Sequence, residues 1–213
     1  MNWTILAGEK YFTISLFKII NNDADSGPEI FRQKIEISLT DDINDIYFKC
    51  HLALSQMFTK FLKNTKNINF TKYKGPYKFL PKMTPAEGFV DWTRSKIDVY
   101  NFIRSKTFPY RSAFTYLNKK LLEIKSVQLI NTNFYHKYRC GEIVLILNDK
   151  RLLVSVKKGF LTLEMYEKNI TNIKEGQILK SVNFRKQMKT IIDRHYKTNP
   201  KQKLNNMIMR LTK

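Results

Sequence analysis

Residues 84–115 form the part of the chain whose backbone conformation is most tightly dictated by residue type. Pro85 and Gly88 predict a turn, and Asp91, Thr93 and Ser95 are candidate caps for a short helix that follows. Pro109 has no backbone N–H to donate and its ring clashes with the preceding helical turn, so the helix is expected to end before it. A strand is predicted next. The sequence therefore predicts, in order, a turn, a helix that ends before Pro109, and a strand. This prediction does not depend on what the neighbouring segments form.

The chain ahead of this segment predicts two strands and a long helix. Residues 3–6 suit the end of a short helix, and β-branched and aromatic runs over 13–20 and 29–39 are typical of strands. Thr40, Asp41 and Asp42 are predicted to cap a helix over residues 43–62, and the polar residues 63–83 predict a linker. The apolar face of the helix is predicted to hold Ile46, Tyr47, Cys50, Leu54, Met57, Phe58 and Phe61.

After the segment, short apolar runs alternate with turn residues. Strands are predicted over residues 114–117, 121–130, 142–147, 152–156 and 160–166, with a closing strand over 178–181. Five short strands joined by tight turns predict a small β-barrel. Together with the predicted helices, this barrel gives an α+β fold class. The tail, residues 182–213, carries apolar stripes at helical spacing with Lys and Arg on the opposite faces. We expect it to pack back on its own domain, and a basic partner-binding arm is the alternative.

Charge is the strongest compositional signal. The chain carries 38 Lys and Arg against 18 Asp and Glu, a net charge of +20, which would attract phosphate-bearing partners such as RNA, sugar nucleotides or folate polyglutamate. The alternative is that lysines scattered through a Lys-, Asn- and Ile-rich sequence serve solubility alone. Two cysteines, no apolar run of membrane-spanning length and no signal peptide make a cytoplasmic protein the expectation.

The hinge-like order of residues 84–115, from the Pro85 turn through Asp-Trp, Ile-Arg and Pro-Tyr to Ala-Phe-Thr, resembles the formyltransferase family. Residues 2–9, Asn-Trp-Thr-Ile-Leu-Ala-Gly-Glu, and residues 23–30, Asp-Ala-Asp-Ser-Gly-Pro-Glu-Ile, resemble two further motifs of that family. Members transfer a formyl group from 10-formyltetrahydrofolate to a primary amine. They include methionyl-tRNA formyltransferase and the sugar-nucleotide N-formyltransferases.

The resemblance divides the chain into three parts. It implies that residues 1–83 are the C-terminal part of the catalytic α/β domain with a linker. Residues 84–181 would be the hinge and an OB-like C-terminal domain, and residues 182–213 a basic helical tail beyond it. The family catalyses the transfer with an Asn-x-His pair and an Asp, in which Asn binds the oxyanion and His moves the proton.

Asp25 matches the catalytic Asp of the family, and Ser26 and Gly27 would then help to bind 10-formyltetrahydrofolate. Without the flanking match, Asp-Ser-Gly would be an ordinary turn. The Asn-x-His pair does not occur, because none of the three histidines has an Asn two positions before it. We therefore expect the chain to be inactive alone, and a separate N-terminal half is a candidate partner.

Three residues of the hinge are candidates for binding the acceptor. Arg104 would hold a phosphate or carboxylate in bidentate fashion, or it pairs with an acid such as Asp98 or Asp91. Trp92 is expected to be a core anchor between the domains, with a stacking surface as the alternative. Tyr110 follows a proline, as in the sugar-modifying members, which favours an amino-sugar nucleotide as the acceptor.

Other readings stay open at this point. Initiator methionyl-tRNA is the alternative acceptor, and a non-catalytic basic RNA-binding module or a poorly folded remnant is the alternative to an enzyme. Cys50, His51, His136 and Cys140 lack the spacing of a zinc site, so no metal is expected.

Overall fold

The computed structural model of the chain describes residues 1–20, 27–66, 68–72, 78–130, 137–166 and 172–212. Within these residues the protein has a mixed α/β structure with two antiparallel sheets. In chain order the elements are α1 (Asn2–Leu6), β1 (Tyr11–Phe17), β2 (Glu29–Glu36), α2 (Ile43–Lys63), a 3-10 turn (Pro85–Gly88), α3 (Lys96–Arg104), β3 (Phe114–Leu117), β4 (Lys120–Leu129), β5 (Ile143–Ile146), β6 (Leu152–Val156), β7 (Gly159–Met165), α4 (Phe184–Thr198) and α5 (Asn206–Leu211). No helix in the described part of the chain is long and apolar enough to span a membrane.

The first sheet is the antiparallel pair β1–β2, and α2 packs against it. α2 begins after Asp42, whose carboxylate accepts the backbone N–H of Asn44 at 2.8 Å and of Asp45 at 3.0 Å. The Asp45 carboxylate in turn accepts the Asp42 N–H at 2.9 Å, which completes a capping box. The long helix predicted from the sequence is confirmed. It could be predicted because its capping residues are adjacent to it in the chain.

α2 buries only part of its apolar surface. Ile46 and Cys50 are buried together with isoleucines of α1 and β2. Leu54 and Phe58, predicted on the same face, are 39% and 53% exposed, so this part of the prediction is wrong. A sheet of two strands is too narrow to cover so wide a helix face, and the flanking side chains stay in contact with solvent.

The second sheet has five antiparallel strands in the order β3-β4-β7-β6-β5. Asn118 and Lys119, between β3 and β4, have φ angles of 48° and 69°, as a type I′ hairpin turn requires at both central residues. Lys158 and Gly159 turn the chain between β6 and β7 with φ angles of 64° and 156°. The five strands predicted from the sequence are confirmed, with bounds shifted by a residue or so, because turn residues mark their ends.

Residues 176–180 hydrogen bond with both outer strands of this sheet. The N–H of Ile143 in β5 donates to the Gln177 carbonyl at 2.9 Å, whereas the N–H of Lys180 donates to the Tyr116 carbonyl in β3 at 2.8 Å. The sheet is therefore curled around one segment. The closing strand predicted here is reduced to a single isolated bridge, because the segment changes from one edge to the other within a few residues.

Trp92 anchors the hinge in the main core. Its indole is fully buried, and Nε1 donates to Thr115 Oγ1 in β3 at 3.3 Å. Thr115 Oγ1 donates in turn to the Lys180 carbonyl at 2.8 Å. A single hydroxyl thus joins the hinge, β3 and the segment 176–180.

The C-terminal helices pack into the same core. Phe184 and Met188 of α4 and Ile208 of α5 are buried there with side chains of α1 and α3. α4 starts where the Asp91 carboxylate accepts the Phe184 N–H at 2.8 Å and the Asn183 side chain caps the helix. The residues expected to form a tail therefore pack back on the protein and do not project as an arm.

Replacing Thr115 with Val removes the hydroxyl that joins these parts. The buried indole N–H of Trp92 would lose its acceptor and the partly buried Lys180 carbonyl would lose its donor, so we expect the free energy of unfolding to fall by about 1–3 kcal/mol. Urea unfolding followed by tryptophan fluorescence measures the change. Thr190→Val, on the exposed side of α4, is the matched control and should cost less than about 0.5 kcal/mol. Equal losses in the two variants would contradict the role given to Thr115.

Candidate functional site

The loop between β1 and β2 contains the residues predicted for catalysis and cofactor binding. Asp25 and Ser26 lie outside the described residues. A Cβ at Gly27 would overlap the Lys18 carbonyl, so only glycine lets the two chain segments approach this closely. The Lys18 N–H donates to the Pro28 carbonyl at 3.0 Å, which continues the strand pairing toward the loop. Gly27 is thus explained by the turn, and its contact with a cofactor stays a prediction.

Glu29 places a carboxylate at the same end of the hairpin. Ser15 Oγ donates to it at 2.6 Å and Arg32 Nε at 2.9 Å. Partial burial opposes ionisation, but these hydrogen bonds and the Arg32 charge outweigh it and lower the pKa of Glu29. The hydrogen bonds of the Glu29 carboxylate are thus made within the hairpin, and folate binding by Ser26 and Gly27 stays a prediction.

Arg104, predicted to bind the acceptor, is buried beside the opposite end of the hairpin. Its Nε donates to Asn101 Oδ1 at 2.9 Å, and Nη1 donates to the Ser38 carbonyl at 3.1 Å and to the Asp41 carbonyl. Burial lowers the pKa of Arg104, and nearby Tyr100 and Asp41 offset part of that shift. The guanidinium therefore fastens the β2–α2 loop to α3. Its partners are an amide and backbone carbonyls, and not the acids considered from the sequence.

Tyr110 links the hinge to α2. Its hydroxyl oxygen lies 2.6 Å from that of Tyr47 in a hydrogen bond, and the two ring centroids are 6.1 Å apart. Partial burial and this hydrogen bond raise the pKa of Tyr110 to about 12. The phenol therefore stays protonated at neutral pH, and it is exposed enough to contact a ligand.

The described site residues do not form one constellation. Trp92 has no exposed ring face for stacking. Arg104 and Tyr110 lie where α2 begins, whereas Gly27 lies beyond the opposite end of β1. The seven residues of β1, at about 3.3 Å each, put about 20 Å between these ends. Within the described ranges, no group of three or more His, Cys, Asp or Glu side chains is placed to hold a metal ion.

Lys106 is a buried lysine that the sequence reasoning missed. Its Nζ lies 3.1 Å from Met83 Sδ and 5.1 Å from the centroid of the Phe102 ring, and it forms no ion pair with any described residue. Glu87 is the acid whose charge acts on Lys106, but its carboxylate is itself paired with Arg194. Burial lowers the pKa of Lys106 to about 8, and the Glu87 charge opposes that shift. No local sequence signal distinguishes this lysine from its solvated neighbours.

Comparison with known proteins points to one family. Residues 82–183 match the family described as "Formyl transferase, C-terminal domain". The bifunctional polymyxin resistance protein ArnA of Wigglesworthia glossinidia brevipalpis is 28% identical over 198 residues, which cover 90% of this chain and 29% of that protein. Methionyl-tRNA formyltransferase of Fusobacterium nucleatum is 26% identical over 164 residues, which cover 76% of this chain and 52% of that protein. The chain thus spans about half or less of the length of these curated relatives.

Solved structures share the fold. A variant of HypX from Aquifex aeolicus superposes with a TM-score of 0.61 at 14% identity, covering 96% of this chain and 34% of that chain. An N-formyltransferase from Helicobacter canadensis, in complex with folinic acid and dTDP-3-aminofucose, superposes with a TM-score of 0.57 at 18% identity. That superposition covers 76% of this chain and 59% of the Helicobacter chain. At such identities the likeness establishes the fold alone.

Replacing Lys106 with Met keeps the shape of the side chain and removes its buried charge. Between its folded pKa of about 8 and its unfolded value of 10.5, the unfolded chain binds a proton that the folded protein does not. The stability of the parent protein therefore rises with pH over that window. At neutral pH the variant should be more stable by about 3 kcal/mol, and this advantage should vanish above the window.

Urea unfolding at neutral pH and above the window measures the two differences for Lys106→Met. Lys189→Met, exposed on α4, is the control and should give the same difference at both pH values. If the difference in the free energy of unfolding between Lys106→Met and the parent protein does not change with pH, the assignment of a buried charge is contradicted.

Replacing Arg104 with Met tests whether this guanidinium is structural. The buried carbonyl of Asp41 and the partly buried carbonyl of Ser38 would lose their donor, so the free energy of unfolding should fall by about 3 kcal/mol. The control is Arg32→Met, whose guanidinium is exposed and paired with Glu29, with an expected loss below about 1 kcal/mol. Both are measured by urea unfolding. Parent-like stability of Arg104→Met would instead favour a guanidinium available to a ligand.

Proposed function

We propose that this chain, whose residues 82–183 match the formyltransferase C-terminal domain, is a member of the formyltransferase family. It would take part in transferring a formyl group from 10-formyltetrahydrofolate to the amine of an amino-sugar nucleotide. Such a transfer needs a proton acceptor and an oxyanion donor, and the 213 residues contain no Asn-x-His pair to supply them. The activity would therefore need further polypeptide that carries this pair. Asp25 would orient its histidine, with Ser26 and Gly27 beside the cofactor.

The observation that carries this proposal is the second apolar face of α2. Phe48, Leu52 and Leu62 are 64%, 51% and 57% exposed. At about 100° per residue they lie on the side of the helix opposite Ile46 and Cys50, which are buried. Large apolar side chains that are exposed together on one helix face often mark a contact with another protein surface, so this face fits a surface onto which further polypeptide packs.

β1 offers a second surface for the same partner. In the described part of the chain β1 pairs only with β2, which leaves one edge of its backbone N–H and C=O groups without a strand neighbour. A sheet of two strands is marginal by itself, and a third strand would complete it. The Fusobacterium nucleatum relative, of which this chain covers 52%, has further polypeptide of the length needed.

Two features favour an amino-sugar nucleotide as the acceptor. The Pro109-Tyr110 pair resembles the sugar-modifying members, and Tyr110 is exposed beside α2. The Helicobacter canadensis protein, which shares the fold, was solved with dTDP-3-aminofucose and folinic acid. The net charge of +20 would attract the phosphates of either acceptor, so it does not distinguish the sugar nucleotide from methionyl-tRNA.

The same proposal covers the domain organisation and the compartment. Residues 1–83 would complete the catalytic domain, residues 84–181 would form the hinge and an OB-like barrel, and residues 182–213 a basic tail. The reaction would take place in the cytoplasm, where the unpaired Cys50 and Cys140 would stay reduced.

The test joins this chain to the Asn-x-His-bearing part of the Fusobacterium nucleatum relative. Release of tetrahydrofolate is measured with a dTDP-amino sugar and, separately, with methionyl-tRNA. We expect the joined protein to turn over the sugar nucleotide and the chain alone to be inactive. In the joined protein, Asp25→Asn should lower kcat at least about a hundredfold. Asp149→Asn, at an exposed turn, is the matched control and should leave kcat unchanged.

Two results would contradict the proposal. Turnover by the chain alone would remove the need for further polypeptide, and turnover with methionyl-tRNA alone would remove the sugar nucleotide. A second readout mixes the two parts as separate polypeptides and measures their association by light scattering. Phe48→Gln with Leu62→Gln should weaken association, whereas Leu121→Gln with Leu145→Gln, also exposed but on the second sheet, should not.

A further inference from the structure

A cleft rich in cations lies between the start of α3, the β6–β7 turn, the start of α4 and α5. Its volume is about 950 Å³, which falls in the range of pockets that bind small organic ligands. Only two carboxylates, those of Asp91 and Asp98, are found among the described residues that line it. The cationic side chains that line it are those of Arg94, Lys96, Lys157, Lys158, Arg185 and Arg210.

Both carboxylates are already engaged by neighbouring groups. Asp91 accepts the backbone N–H of Phe184 at 2.8 Å and the Thr93 hydroxyl at 2.6 Å. Asp98 accepts the Ser95 hydroxyl at 2.6 Å and lies 3.3 Å from Arg94 Nη2. These acids hold the walls of the cleft together, and Arg210 is paired with Glu9. The positive charge most available to a ligand is therefore that of Lys157 and Lys158, beside the guanidinium of Arg94.

Arg94 is held in a fixed orientation in the wall. Its side chain is 18% exposed, and its Cζ lies 3.9 Å from the centroid of the Phe184 ring. Nη2 contacts Asp98, whereas Nη1 is buried and has no hydrogen-bond partner within the described ranges. A buried donor without a partner is uncommon in a folded protein, and an added acceptor would satisfy it.

The two lysines of the β6–β7 turn are presented on a constrained backbone. Lys157 forms a parallel bridge with Ser95, and Lys158 has a φ of 64°, which is unusual for a residue other than glycine. Gly159 follows with a φ of 156°, and a Cβ there would lie 3.0 Å from Lys96 Cδ. Lys157 and Lys158 are exposed and form no ion pair with the residues that the structure describes.

We propose that this cleft binds the diphosphate group of a nucleoside diphosphate. A planar guanidinium with a spare N–H suits one phosphate in a directed hydrogen bond, and two lysine ammonium groups suit the remaining charge. Phe184, Met207 and Leu211 line the same cleft and give it apolar surface for the nucleoside. The inference rests on the cleft alone and does not depend on the proposed formyl transfer.

Isothermal titration calorimetry with UDP, inorganic pyrophosphate and uridine tests the proposal on the full chain. UDP and pyrophosphate should bind and uridine should not, since the phosphates supply the recognition. Lys157→Gln with Lys158→Gln should weaken UDP binding about tenfold, because two partly exposed charge contacts are lost. Lys189→Gln with Lys197→Gln removes the same charge from exposed positions on α4 outside the cleft and should change the affinity less than about twofold.

Arg94→Lys supplies an independent variant, because it keeps the charge and removes the guanidinium fork. It should also weaken UDP binding about tenfold. Circular dichroism and the urea midpoint confirm that each variant is folded. The proposal is overturned if UDP and pyrophosphate do not bind, or if the control pair weakens binding as much as the Lys157 and Lys158 pair. It is also overturned if only an RNA oligonucleotide binds, with an affinity that falls steeply with salt.

Discussion

The rest of the structure depends on how the hinge is held at Trp92. The indole is fully buried, and its N–H reaches β3 through Thr115, whose hydroxyl reaches the carbonyl of Lys180. Gly141 has a φ of 85°, and a Cβ there would lie 2.8 Å from the Leu179 carbonyl and 3.1 Å from the indole. The five-stranded sheet can therefore curl around residues 176–180 because the hinge side chain and a glycine occupy the space between them.

Much of this architecture was predictable because it is encoded locally. The type I′ turn at Asn118-Lys119, the capping box at Asp42 and the stop near Pro109 each depend on residues adjacent in the chain, so the strands, α2 and α3 fall where the sequence puts them. The resemblance to the formyltransferase family could also be found from the sequence, because its motifs are short and ordered along the chain, and residues 82–183 match the C-terminal domain of that family.

What could not be predicted depends on packing between distant segments. Nothing in the sequence shows that α2 rests on only two strands, which is why Leu54 and Phe58 are exposed. Arg104 donates to carbonyls that are more than sixty residues away in the chain. Lys106 is buried against Met83 and Phe102. A local sequence pattern does not predict either set of contacts. The cationic cleft likewise combines four segments that meet only in the folded protein.

The contact between the two ends of the described chain has a consequence for synthesis. Arg210 of α5 pairs with Glu9, and Trp3 shares a core with Ile208. The Phe79 N–H donates to the Lys203 carbonyl at 3.0 Å, which adds a second long-range tie. On the ribosome, these early residues leave the exit tunnel long before their packing partners have been translated. Their apolar side chains therefore stay unpacked, exposed to solvent or bound by a chaperone, until α5 has been translated.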